Sequence, residues 1–586
     1  MFGFIPFNDS KAFKSQISFM LGDYADNTII GININDRNLI VQTAEQALRH
    51  EFNLLGSGIV KSDPIDWQCD NKCGIRWGKE YYLNIGYQKG ADIKMPWELS
   101  RCQHLLWLGE AYLLTKDEKY AKEVIDEIDW WIEDNPLMYT VNWRCAMDVS
   151  FRAVNWLFSL NMIRGYAGYD DAFSSKVSRS LWQHGFFIRN NIEKVIPDSN
   201  NHYASDIVGL LYLGALFSHT RNGKQWKRFA IKEFEVETLN QVLESGVHYE
   251  RTVSYHRLMT ELLSYPVYML KRIGEPVSHD VIDRIKVMYS YISNYTKPSG
   301  LAPLIGDNDD GRFLPFLRRD FRVHNYLNEP YSVENTFVSS GISPMFCNPF
   351  PETKLYEDAN VAIFRGSIEY LYINHGGYSK RPKDTASFIG THTHNDLLSF
   401  ELSVGGKDLL VDSGTYLYTS SLAERNSFRA TAKHNTVLVD GEEQNYMVDA
   451  FALGRNVFIQ RLTQIDQRSY SGSYTTVKGK MRHQRRFIVL EGKIIITDIL
   501  EKDGDGHIAE LFLHFAEGIC PIVCTNGLVI GDTVQVAFCG TPEKLEVVDD
   551  TFSPSFGVLT NNKTAIASFR FNNSITISTT IQYGTE

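Results

Sequence analysis

The sequence predicts a helical toroid or solenoid followed by an antiparallel β-sandwich. Three observations carry this. From about Thr43 to about Tyr295, apolar residues recur every three or four positions. After about Pro344 they recur every second position. Between the two lies SSGISPMFCNPFPETK (339–354), whose Pro344, Pro349 and Pro351 suit a linker. The expected domains are residues 1–345, helical, and 346–586, strand-built, with a cleft between them.

The elements follow in order. WELSRCQHLLWLGEAYLLT (97–115) places Leu99, Cys102, Leu105, Leu106 and Leu108 on one helical face. Val124, Ile125, Ile128, Trp131 and Ile132 do the same over 119–133, and Asn135-Pro136 ends that helix. Further helices are expected at 147–165, 174–195, 201–218, 223–244, 255–273 and 279–295, joined by short loops with Gly or Pro. No strict repeat accompanies them, which argues against a conventional repeat array. LLSFELSVGGKDLLVDSG (397–414) reads as strand, Gly405-Gly406 turn and strand. RRFIVLEGKIIITDIL (485–500) turns at Glu491-Gly492, and the tail is rich in Thr, Ile and Val up to Ile581.

Composition narrows the function classes. The 586 residues are 43% hydrophobic and 22% charged, as expected of a folded chain. The net charge of −11, with no basic stripe, excludes an ordinary nucleic-acid binder. An anionic substrate stays open, because a cleft can be locally basic on an acidic protein. No apolar run reaches the roughly 18 residues of a membrane helix. MFGFIPFNDSKAFKSQ shows no secretory signal. The compartment is therefore periplasmic or secreted if a leader was removed, and otherwise cytoplasmic. Eight cysteines are too sparse for a disulfide scaffold, and the CxxxC pairs Cys69/Cys73 and Cys520/Cys524 lack partners for a zinc site. No oligomeric state is read from the chain.

Three clusters could carry chemistry. In DSNNHYASD (198–206), Asn200, Asn201 and His202 stand where a helix begins; helix capping competes with a role at a cavity mouth. GVHYERTVSYH (246–256) crowds His248, Tyr249, Glu250, Tyr255 and His256, and a Tyr beside a His suits proton transfer. An aromatic helix face is the alternative. HTHNDLLSFEL (392–402) supplies His392 and His394, followed by Asp412 and His434. Two His and one Asp suit Zn²⁺ or Mn²⁺; spacings of 18 and 22 residues from His394 onward put the ligands on different strands, and three unrelated polar residues at strand ends are the alternative. IGDNDDGR (305–312) lacks a complete calcium-loop pattern and reads as a tight turn that could line the cleft.

NNHY (200–203), ERTVSYH (250–256) and HTHNDLLSFEL…LLVDSGTY…RATAKHNTVLVDG (392–441), with WELSR…HLLWLGEAY (97–112), resemble the heparinase II/III superfamily of polysaccharide lyases, which has alginate lyases as relatives. The resemblance implies an incomplete (α/α) toroid followed by an antiparallel β-sandwich. It also implies β-elimination on a uronic-acid polysaccharide, leaving a 4,5-unsaturated sugar. By that resemblance Asn201 neutralises the uronate carboxylate. His202, His392 and Tyr255 act as base and acid, Tyr255 being the expected acid and His202 or His392 the base. His394, Asp412 and His434 hold one divalent metal ion (Zn or Mn) in a structural role. Alginate-cleaving relatives carry a tyrosine where this chain has Ser420, with Tyr418 near but not aligned. Arg425, Arg429 and Lys433 offer charge for sulfate or carboxylate. Trp143 and Arg144 are candidates to line a subsite, with core packing the equal alternative for Trp143.

The expected substrate is thus an anionic glycosaminoglycan: heparan sulfate, chondroitin sulfate or hyaluronan. The alternatives are an alginate or other polyuronate lyase, a glycoside hydrolase using Glu250 and Asp307 as paired carboxylates, and a non-catalytic polysaccharide-binding or assembly protein.

Overall fold

The computed structural model describes residues 6–7, 9–24, 32–195, 199–376, 388–389 and 392–584. Asp198 of the first polar cluster therefore lies outside the described residues.

The helical part is built in two layers. Helices His104–Thr115, Ala146–Met162, Asn201–Leu216 and Val253–Arg272 are buried nearly all round. The helices that follow each of them, Glu118–Asp134, Asp171–Asn190, Arg221–Gln241 and His279–Tyr295, bury one stripe and leave the opposite face wet. Their sequences explain the difference. NHYASDIVGLLYLGAL is apolar on every face beyond its first turn, so only an inner position suits it, whereas EKYAKEVIDEIDWWIED is amphipathic. Alternation of inner and outer helices is the toroid arrangement.

Two features of the helical part depart from the expected pattern. The stretch 97–115 is not one helix: it divides into Lys94–Ser100 and His104–Thr115, with Cys102 in the left-handed region at φ 55°. The break brings Arg101 onto Asp148 (2.6 Å) and Glu98 (2.6 Å), all buried. Helical structure also begins earlier than Thr43, with Ser10–Leu21 and Ile34–Ala47 capped by the side chains of Asp9 and Asn33.

Two small two-stranded sheets (Glu51–Asn53 with Ile59–Lys61, Cys69–Asp70 with Ile75–Arg76) interrupt the helical part, and the strand-built part begins at Lys354. A five-stranded antiparallel sheet (Lys354–Tyr356, Val361–Arg365, Glu369–Asn374, Ser399–Val404, Lys407–Leu410) stands between the two parts. Period two decides its faces. Val361, Ile363, Tyr370 and Tyr372 join the helical core, while Ala362, Phe364, Leu371 and Ile373 join the β core. The Tyr291 and Tyr372 hydroxyls meet at 2.7 Å across this junction. Lys297, 5% exposed, reaches Glu401 (3.0 Å) and Asp408 (2.8 Å). A four-stranded and an eight-stranded antiparallel sheet complete the β core. Both expected hairpins form, with strands Ser399–Val404/Lys407–Leu410 and Arg482–Leu490/Lys493–Glu501. Among the described residues, no helix is long and apolar enough to cross a membrane.

Candidate active site

Four helix starts open onto one cavity of about 280 Å³. Lys94 begins Lys94–Ser100, Cys145 precedes Ala146–Met162, Asn200 caps Asn201–Leu216, and Tyr255 lies in the first turn of Val253–Arg272. Two caps are explicit: Asn200 accepts from the Tyr203 amide (3.4 Å) and Thr252 from the Tyr255 amide (3.1 Å). A helix start carries partial positive charge, and residues of these starts line the cavity. Trp97, Arg144, Glu193 and His202 stand on the helical wall beside Ile85, Gly86, Tyr87 and Ile93, and His392, Thr419 and Phe451 come from the β part. The cavity thus lies where the helical and strand-built parts meet.

Tyr255 and His392 are stacked, ring centroids 3.9 Å apart. The Tyr255 hydroxyl donates to Asp309 (2.9 Å), which Lys94 also binds. Burial, then the Asp309 and Asp307 carboxylates, hold the phenol well above its ordinary pKa. His202 Nδ1 lies 3.3 Å from Glu193. Burial alone would lower the His202 pKa, but Glu193 outweighs it and the imidazole sits above its ordinary value. His392 Nδ1 bonds Asp307 (2.9 Å), and its Nε2 stands 3.9 Å from Glu250.

Asn201 is not on the cavity wall. It is 1% exposed, and its amide nitrogen donates to both Glu250 oxygens (3.0 and 2.9 Å). The amide on the wall is that of Asn200, one residue earlier. Arg144 lines the cavity and is exposed. Trp143 does not: at 1% exposed it packs on Trp131, His184 and Phe187 beneath the wall, because it points inward from the turn that presents Arg144. Arg429 is fully buried, bonded to Asn426 and to the Asp449 carbonyl. Arg425 grips Asp307, and Lys433 grips Asp550. Arg425 and Lys433 are thus engaged by carboxylates, whereas Arg429 meets only neutral acceptors and keeps its Nε buried without a partner, away from the cavity wall. Of the second cluster, His248 and His256 are buried side chains rather than cavity groups.

The run GDNDDGR is more than a turn. Asp307 receives His392, His394 (2.9 Å) and Arg425; Asp309 receives Tyr255 and Lys94; Asp310 receives Ser555 and the Phe556 amide. Three acids in four positions were the available signal. Asp307, fully buried and paired, and Glu250, 1% exposed and holding Asn201, do not form an open carboxylate pair. Glu193 and Lys94 escaped the sequence reading.

His394, Asp412 and His434 converge, each buried, with one ligand atom apiece within 4.8 Å of the others. His394 Nε2 is engaged by Asp307, which leaves His394 Nδ1 buried without a hydrogen-bond partner; His434 Nε2 is likewise unpartnered. Burial holds the His394 pKa down, to about 4, so it is a neutral imidazole. Two orphaned nitrogens beside a carboxylate, one backed by a second carboxylate, fit a divalent cation.

The heparinase II/III N-terminus model matches residues 20–322 and the heparinase II/III-like C-terminal model matches residues 376–582. A heparin-sulfate lyase of Bacteroides stercoris is 22% identical over 436 residues, covering 68% of this chain and 60% of that protein. One of Pedobacter heparinus is 21% identical over 383 residues, covering 62% and 55%. The chain thus spans less than two thirds of the length of these curated relatives. The crystal structure of heparinase III overlays with a TM-score of 0.67 at 16% identity, covering 94% of this chain and 86% of that one, a likeness of fold. With the two family models together spanning most of its length, the chain belongs to the heparinase II/III family.

Proposed function

We propose that this protein is a polysaccharide lyase that cleaves a uronate-containing glycosaminoglycan by β-elimination. The observation that carries the reading is the convergence of a protonated phenol, two carboxylate-held imidazoles and four helix N-termini on one interdomain cavity. The heparin-sulfate lyases among the relatives favour the same class of substrate.

The chemistry needs a base for the C5 proton, an acid for the leaving O4 and neutralisation of the uronate carboxylate. Glu193 on Nδ1 leaves His202 Nε2 free to accept a proton. Tyr255, kept protonated by burial and Asp309, suits the acid. His392, stacked on Tyr255 and fixed by Asp307, orients the phenol and is the second candidate base. Because the Asn201 side chain is buried and its amide nitrogen is bonded to Glu250, charge neutralisation is assigned instead to Arg144, Asn200 and the helix starts. Asn201 then acts through Glu250, which it holds beside His392.

His394, Asp412 and His434 would hold one divalent ion of the zinc or manganese class. Its charge would offset Asp412 and tie together the three segments that carry its ligands.

The reading is tested by incubating the protein with heparan sulfate, chondroitin sulfate, hyaluronan and alginate and following near-ultraviolet absorbance. A new conjugated double bond on a glycosaminoglycan supports it. Inertness on every polymer opposes it.

A further inference from the structure

We propose that Cys145, Glu193 and His202 form a binding site for a borderline-soft divalent cation of the zinc class, and that occupation of this site blocks the proton-accepting role of His202. The blocking half rests on the lyase reading above; the binding half does not.

The three groups come from separate segments: Cys145 before helix Ala146–Met162, Glu193 after helix Asp171–Asn190, and His202 in the first turn of helix Asn201–Leu216. Their ligand atoms already stand at the edges of a coordination polyhedron. Zn²⁺ bonds S at about 2.3 Å and N or O at about 2.0–2.2 Å, so tetrahedral edges should measure about 3.4 Å for N···O and about 3.6 Å for S···N and S···O. The observed edges are 3.3 Å from His202 Nδ1 to Glu193 Oε1, 3.8 Å from Cys145 Sγ to His202 Nδ1, and 3.6 and 3.9 Å from Sγ to the two Glu193 oxygens.

Neighbours brace the site. Glu193 Oε2 accepts the Met147 amide (3.0 Å), and the Glu193 amide donates to Asp206 (2.7 Å). Cys145, Glu193 and His202 all line the cavity, and the Glu193 and His202 side chains are about a third exposed, so an ion has an entry path and room for water as a fourth ligand. A thiol, an imidazole and one carboxylate favour zinc-like ions over Mg²⁺ or Ca²⁺.

The exchange balances. The Cys145 S–H bond breaks, its proton goes to solvent, and a sulfur–metal bond forms. His202 turns its Nδ1 lone pair to the metal and carries its ring proton on Nε2. The nitrogen that would accept the substrate proton is then already protonated.

The test is a Co²⁺ titration of the full chain, read by the sulfur-to-cobalt charge-transfer band, beside Zn²⁺ inhibition of heparan sulfate cleavage. With the His394 site filled beforehand, the wild type should gain the band with saturation at one further equivalent. Cys145→Ser should lose it, and His394→Ala should keep it. The Zn²⁺ needed for half-inhibition should rise at least about tenfold in Cys145→Ser, as loss of a ligand requires. If Cys145→Ser fails to fold by circular dichroism, Glu193→Gln serves instead and should weaken the band's affinity. No band in the wild type, or an undiminished band in Cys145→Ser, overturns the site. A band that behaves as expected in a protein inert on every polymer upholds the metal site and refutes the lyase reading alone.

Discussion

The Tyr255 ring lies against the His392 imidazole with planes 23° from parallel, while the phenol hydroxyl reaches sideways to Asp309. His392 in turn is anchored to Asp307, two residues from Asp309. One acidic loop therefore fixes both members of the stack, one from each domain.

Tyr255→Phe removes the proposed acid and one hydrogen bond. Turnover should fall by about 10²–10⁴-fold, while stability drops by about 1.5–3 kcal/mol, as for a hydrogen bond to a charged group. Steady-state rates and urea unfolding check both halves; turnover near the wild-type rate would remove Tyr255 from the mechanism.

Glu193 holds the His202 pKa above its ordinary value of 6.5. A base works only when deprotonated, so kcat/KM should rise with pH through a midpoint above 6.5. Glu193→Gln removes the carboxylate that favours the imidazolium, so the midpoint should move down. A pH–rate profile reads the shift, and an unmoved limb would separate His202 from the observed ionisation.

His394→Ala leaves Asp412 and His434 without their third partner. Metal content should fall and the thermal unfolding midpoint with it, and a chelator should lower the wild-type midpoint but scarcely that of the variant. Equal midpoints, with no metal in either protein, would count against a cation there.

Lys297→Met strips the cation from Glu401 and Asp408 at the junction of helices and sheet. An uncompensated buried carboxylate should cost about 3–5 kcal/mol. Denaturant unfolding measures it; a loss below 1 kcal/mol would mean that water or a new partner reaches Glu401.

Much of this was legible in the chain. Three- and four-residue periodicity marked the helices because inner and outer faces differ in polarity, and Gly405-Gly406 and Glu491-Gly492 marked hairpins through turn chemistry. The break at Cys102 was hidden, because an ordinary residue takes the left-handed conformation there among buried ion pairs. His202, Tyr255 and His392 were found as motif residues and do share a cavity. Their partners were not found, because Asp307 meets His392 across 85 positions and Asp309 meets Tyr255 across 54. Trp143 and Arg429, given a binding role from residue type, and Asn201, given one by the resemblance, show the complementary limit: only the backbone path decides whether a side chain faces the cleft or the core.

The most direct measurement is a heparan sulfate digest followed at once for near-ultraviolet absorbance and for new reducing ends, with wild type and Tyr255→Phe side by side. The account predicts that the two signals rise together in the wild type and that both vanish in the variant. Reducing ends that accumulate without absorbance would mean hydrolysis and contradict it.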